Sequence, residues 1–157
     1  MNPATVLDFV TLFFAGLLAG ALFVIDYGVG RAVAAVLDDQ SQIQVRQALI
    51  LRLRVLVPAI FVPTVLLGVA ITVLDGVEPG FVFRCAGLLV VLTSFLLTLL
   101  GTAPINSAVF DWQPSAPPKN WRTLIGRWER LDRARTWAAA AAFALFLTAM
   151  ALTLAAH

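Results

Sequence analysis

The sequence predicts an all-α membrane protein: a four-helix bundle of up-down-up-down topology, with a cytoplasmic amphipathic extension of the fourth helix. Three observations carry this. Hydrophobic residues fill 61% of the 157 positions and charged residues only 13%, against roughly 25% charged in soluble domains. Four apolar stretches, Phe9 to Ile25, Val55 to Leu74, Cys85 to Ala103 and Trp137 to Ala156, can each cross a hydrocarbon core of about 30 Å, which takes roughly 20 helical residues. Ten of the eleven Lys and Arg residues lie in two connections: Arg31, Arg46, Arg52 and Arg54 in one, and Lys119, Arg122, Arg127, Arg130, Arg133 and Arg135 in the other. Basic loops stay in the cytoplasm, so loops 28–44 and 104–120 are placed there and both termini outside, in the cell (inner) membrane.

With their polar edges the spans are expected over residues 6–27, 45–75, 83–103 and 121–156, and 1–157 reads as a single transmembrane domain. No basic residue precedes the first helix and Asp8 stands where a signal peptide would be positive, so this helix is retained despite Ala19-Gly20-Ala21. Gly16 and Gly20 let another helix approach closely, either within the chain or across a homo-oligomer seam. The helix ends at Asp26-Tyr27-Gly28, where Tyr27 is an interfacial anchor or a site aromatic, and Asp26 a solvated helix end or a carboxylate facing a cavity.

Asp38-Asp39-Gln40-Ser41 should break the following segment, and the second span resumes at Val45. Its Arg46, Arg52 and Arg54 can snorkel to headgroups, and Pro58 and Pro63 should kink it. The acidic pair Asp75 and Glu78 sits in a solvated outer turn. The third helix is almost wholly aliphatic, and Pro104 should end or bend it, with Asn106 following. Pro114, Pro117 and Pro118 stiffen the next connection, Asn120 is a good N-cap, and the helix from Trp121 should run unbroken into the fourth span.

At 100° per residue, Trp121, Leu124, Ile125, Trp128 and Leu131 share one sector and Arg122, Glu129, Arg130 and Arg133 the other. Asp132 and Arg135 break the pattern by projecting from the apolar sector beside Trp128. The single cysteine, Cys85, rules out a CxxC redox pair, and the single histidine is the terminal His157. Histidine-held haem, copper and zinc therefore have no ligand set, and no cofactor is expected. The pI of about 9.3 reflects topology, so the expected partner is the lipid bilayer and not nucleic acid.

The run from Gly101 to Arg135 contains Pro104-Ile105-Asn106, Trp112, Pro117-Pro118, Trp121 and then RWERLDRART leading into an apolar helix. It resembles the anthrone oxygenase-like family of small four-helix integral membrane proteins. The resemblance covers the whole chain in length and layout, and its specific part is Pro104 to Thr136. Where family members commonly carry a histidine, this chain has Asp132. The resemblance implies O₂-dependent oxidation of a flat, lipophilic, enolisable phenol, without a known metal or flavin.

Such chemistry needs a base, a group that holds the enolate oxygen, and an apolar site that excludes water. Asp132 or Asp26 can take the proton, Arg135 or Asn106 can hold the enolate, and Trp112, Trp121, Trp128 and Tyr27 can pack on an aromatic substrate. The alternative is a non-catalytic bundle, a partner subunit or a lipid or small-molecule binder. In it Asp132 and Arg135, spaced i, i+3, pair with each other or with Asp26 and Arg54, and the tryptophans are interface anchors. A small transporter ranks last, because it needs an ionisable residue deep in a span and these acids sit at helix ends.

Overall fold

The computed structural model describes residues 3–74, 76–77 and 79–156; Asp75, Glu78 and His157 lie outside the described residues. The first helix, α1 (Pro3–Phe23), passes without a break into a π-helical segment (Val24–Gly30) and then α2 (Arg31–Val36). Leu37 is extended, with φ −101° and ψ 147°. At Asp38 the carboxylate accepts the Ser41 backbone N–H at 2.8 Å and the Ser41 hydroxyl at 3.1 Å. Those bonds favour the charged form and hold the Asp38 carboxyl below its ordinary value. The acidic run expected to break one helix thus also caps the next. As a result α3 (Asp39–Leu74) begins six residues before the expected Val45.

α3 remains helical through Pro58 and Pro63. The next helix, α4 (Phe81–Leu96), widens into a second π-helical segment (Leu97–Thr102) and continues as α5 (Ala103–Phe110). Pro104 therefore does not end the helix: it stands at the second residue of α5, directly after the wider turns of the π-helical segment. The last helix, α6 (Trp121–Ala155), is unbroken over 35 residues. Asn120 occupies its cap position through the backbone alone; contrary to expectation its side chain makes no capping bond.

The four long helices alternate in direction. α6 packs chiefly against α4 and α1, and α3 against α1 and α4. Ala15, Leu18, Leu22, Val57, Ile60, Phe61, Val91, Ala139, Ala142 and Phe146 form the main core. The outward face carries Phe13, Val55, Leu66, Val73, Leu89, Leu100, Trp137 and Leu147, all exposed. An apolar surface of that extent suits acyl chains rather than water, and four helices are long and apolar enough to cross a membrane.

Apolar helices gain no hydrophobic energy by leaving lipid for each other, so close backbone approach and polar links must hold the bundle. Gly68 and Gly87 supply the first: a Cβ on either would lie 3.1 or 3.2 Å from the Phe146 ring. Gly87→Leu should cost about 1–3 kcal/mol through overpacking, read as a lowered midpoint of unfolding in a mixed detergent titration. Gly16 stands in the same relation to Phe143, at 3.1 Å, whereas Gly20 faces open space.

Polar links close both ends. Where α1 begins and α6 finishes, Arg84, fully buried, pairs with Asp8 at 3.3 Å and donates to Thr153 Oγ1 at 3.0 Å, joining α4, α1 and α6. At the opposite end Ile43, Ile105, Val109, Trp121 and Ile125 form a second core. Here the amphipathic first half of α6 lies against α3 and α5. Gln47 Nε2 donates to the Val109 and Trp112 carbonyls at 3.0 and 2.9 Å, taking up acceptors that a helix end leaves without partners. An exposed Arg122–Asp39 pair at 2.8 Å adds about 0–1 kcal/mol at most.

Candidate functional site

Beside this second core lies a cavity of about 510 Å³, within the range typical of small-molecule sites. Its walls are aliphatic: Ile25 and Val29 from the first π-helical segment, Val33 of α2, Leu49, Ile50, Leu53 and Val57 of α3, Leu99 from the second π-helical segment, Val109 of α5 and Ile125 of α6. Arg46, Arg54, Arg135, Asn106, Thr98, Ser107 and Asp111 supply polar atoms, and Trp128 forms part of the wall. Both π-helical segments border it. Such wider turns rotate the side chains that follow and are frequent at functional sites.

Arg135 reaches the cavity from α6 while 4% exposed, and Asp132 behind it is fully buried. Arg135 Nε donates to Asp132 Oδ1, and Arg135 Nη1 lies 3.4 Å from Thr98 Oγ1. The backbone beneath is pinned as well. Ser94 Oγ donates to the Arg135 carbonyl at 2.9 Å and Thr136 Oγ1 to the Asp132 carbonyl at 2.8 Å. Asp132 Oδ2 is buried without a hydrogen-bond partner among the described residues.

Arg46 was expected to snorkel outward, and the structure corrects this: it is 6% exposed and faces the bundle. Its Nη2 donates to Glu129 Oε1 at 2.8 Å and its guanidinium sits 5.3 Å from the centre of the Trp128 ring, leaving Nε buried without a hydrogen-bond partner. Trp128 Nε1 donates to Asn106 Oδ1 at 2.9 Å. That bond occupies the amide oxygen, so the Asn106 NH₂ is the end left to donate.

The remaining expected residues lie elsewhere. Asp26 is buried and lines a separate recess of about 70 Å³ behind Trp128, with Arg133 at 4.0 Å; its Oδ2 too lacks a hydrogen bond. Tyr27 stacks on Phe23 at 4.6 Å, with Arg31 over its ring at 4.1 Å, outside both cavities. Trp121 is buried in the second core and Trp112 packs against it, so neither lines the cavity. The structure thus gathers Arg135, Asn106 and Trp128 at one cavity with Asp132 one bond behind, and adds Arg46, held by Glu129, and Arg54, neither of which was expected at a site. Among the described residues no three His, Cys, Asp or Glu side chains group as metal ligands.

The geometry defines a class: a membrane-compatible four-helix bundle with a ligand-sized, arginine-lined apolar cavity at one end. The chain belongs to the anthrone oxygenase family, whose model, described as "Anthrone oxygenase", matches residues 46–145. The match begins at Arg46 and takes in Arg54, Asn106, Trp128, Asp132 and Arg135, while Asp26 and Tyr27 precede it. No curated protein and no solved structure matches the chain.

Proposed function

We propose that the protein catalyses a cofactor-independent, O₂-dependent oxidation of a flat, enolisable aromatic of the anthrone type, bound in the arginine-lined cavity. The observation that carries this reading is the cavity itself: about 510 Å³ with aliphatic walls and the Arg135 guanidinium fixed at its edge. An apolar chamber admits O₂ and a fused-ring substrate, and a cation held in place before the reaction stabilises a developing enolate without reorganisation. A bundle acting only as a partner subunit needs no such space.

In this reading the Arg135 guanidinium and the Asn106 NH₂ hold the enolate oxygen, and the Trp128 ring lies against the substrate. Asp132 positions Arg135 and, through its unbonded Oδ2, is the first acceptor proposed for the proton; Asp26 behind Trp128 is the second. The carbanion passes electrons to O₂, a carbon–oxygen bond forms, and a hydroperoxide results. Loss of the remaining C–H proton and cleavage of O–O leave a carbonyl and release water. One O₂ is consumed for each CH₂ converted to C=O, so the atoms balance. By the distribution of arginines the cavity end faces the cytoplasm.

The test is oxygen uptake and quinone absorbance with purified protein in detergent and emodin anthrone. The wild type should exceed autoxidation, and Arg135→Ala and Asp132→Asn should each lower turnover by about a hundredfold or more, the scale on which a preorganised oxyanion contact acts. A wild-type rate equal to the protein-free rate would end the oxygenase reading for this substrate class.

A further inference from the structure

The cavity has a side opening. Its exposed lining residues are Arg54 and Pro58 of α3 on one edge, and Leu99, Ser107, Phe110 and Asp111 on the other. The mouth therefore lies between α3 and the α4–α5 helix. Arg54 immediately precedes the apolar run of α3, and Leu99 and Leu100 across the mouth are 48% and 75% exposed. Apolar side chains this exposed belong to the acyl-chain region, and an arginine at the start of an apolar run belongs at headgroup depth. The opening thus faces sideways into a bilayer leaflet, with Asp111, just past the end of α5, on its watery rim.

The charges are unequal along this mouth. Arg46 is paired with Glu129 and Arg135 with Asp132. Arg54 has no carboxylate within ion-pairing distance among the described residues. Asp111, the one carboxylate of the described lining, pairs with none of the three arginines. An anion arriving from water meets Asp111 first, and one arriving along the leaflet meets Arg54.

We infer that the cavity takes up an amphiphilic monoanion, an apolar body bearing one acidic oxygen apart from the carbonyl that becomes the enolate, from the adjoining leaflet through the mouth between α3 and α5, with Arg54 pairing the anionic oxygen. This rests on reading the cavity as the substrate site, and it adds the charge state of the ligand and its route. Arg54 holds the ligand at the threshold in its ionised form, and the aliphatic walls take the body.

The test uses the full chain in phosphatidylcholine nanodiscs without O₂, so oxidation has no influence on the outcome. The probes are anthracene-9-carboxylate and its neutral counterpart 9-anthracenemethanol, followed by energy transfer from tryptophan. Arg54→Gln should weaken the carboxylate about tenfold and Arg54→Lys much less, while the alcohol changes by less than about twofold. No change, or an equal loss for both probes, overturns the charge assignment. In stopped flow, Leu99→Trp should slow association of the carboxylate about tenfold and Leu99→Ala should not, whereas Asp111→Trp should leave the rate near that of the wild type. Slowing by Asp111→Trp alone would mean a ligand from water and would overturn the lateral route. Failure of either arm leaves the oxygen-uptake test standing, and a failed oxygen-uptake test leaves these binding results intact.

Discussion

Asp132→Leu should destabilise the bundle by about 3–5 kcal/mol, while the double substitution Asp132→Leu/Arg135→Leu restores stability to near that of the wild type and leaves turnover abolished. Breaking a buried pair by removing one partner strands a charge, whereas replacing both partners with apolar groups is often neutral or stabilising. Here the asymmetry is sharp. A stranded guanidinium cannot lose its proton, so Arg135 must stay charged with only Thr98 and the cavity to solvate it. A stranded Asp132 can be protonated, so Arg135→Leu should cost less than Asp132→Leu. Unfolding in a mixed detergent titration, read by tryptophan fluorescence, gives all three values. If the double variant is as unstable as Asp132→Leu, the pair holds the bundle together through more than charge compensation. If Asp132→Leu is neutral, water or lipid headgroups reach Arg135 and the pair is not enclosed.

That pair was legible in the sequence because two charges interrupt an apolar sector. The four helices were legible for a similarly simple reason, since a run of apolar residues of bilayer length leaves little choice of structure. Arg46 was not legible from charge alone, because its partner Glu129 lies 83 residues away. A signal was present in its spacing. Ile43, Arg46, Ile50, Leu53 and Val57 recur at three and four residues, which puts Arg46 on the inward stripe of α3, and the structure buries Ile43, Arg46 and Val57. Arg52 and Arg54 fall off or beside that stripe and are exposed.

The two π-helical segments left no comparable trace. Gly28, Gly30 and Gly101 lie within them, yet glycine in a membrane helix more often marks close approach than a wider turn. Without those turns the first and third helices were expected to end at Tyr27 and Ala103, short of the residues that complete the cavity. The tryptophans show the opposite limit. Trp121 and Trp128 share a sector of α6, and only the approach of Ile43 and Ile105 to the first, and of Arg46 and Asn106 to the second, separates a core residue from a cavity wall.

A substitution that touches none of the proposed chemistry can decide whether the cavity is the site. Ala103 lines it from α5, and Ala103→Trp would project an indole into space that is otherwise empty of protein. Filling a void with apolar surface should raise stability by about 0.5–2 kcal/mol, because the new ring gains contacts that the walls now lack. The same ring occupies volume that a ligand needs, so anthracene-9-carboxylate binding and oxygen uptake with emodin anthrone should both fall by about a hundredfold or more. The two effects have opposite signs, which separates them from damage: a misfolded variant loses activity and stability together. Retained binding in a stabilised Ala103→Trp protein would place the ligand elsewhere. Lost stability by about 1–3 kcal/mol, the usual cost of overpacking, would mean that the cavity is too tightly walled at Ala103 to hold a fused-ring ligand there.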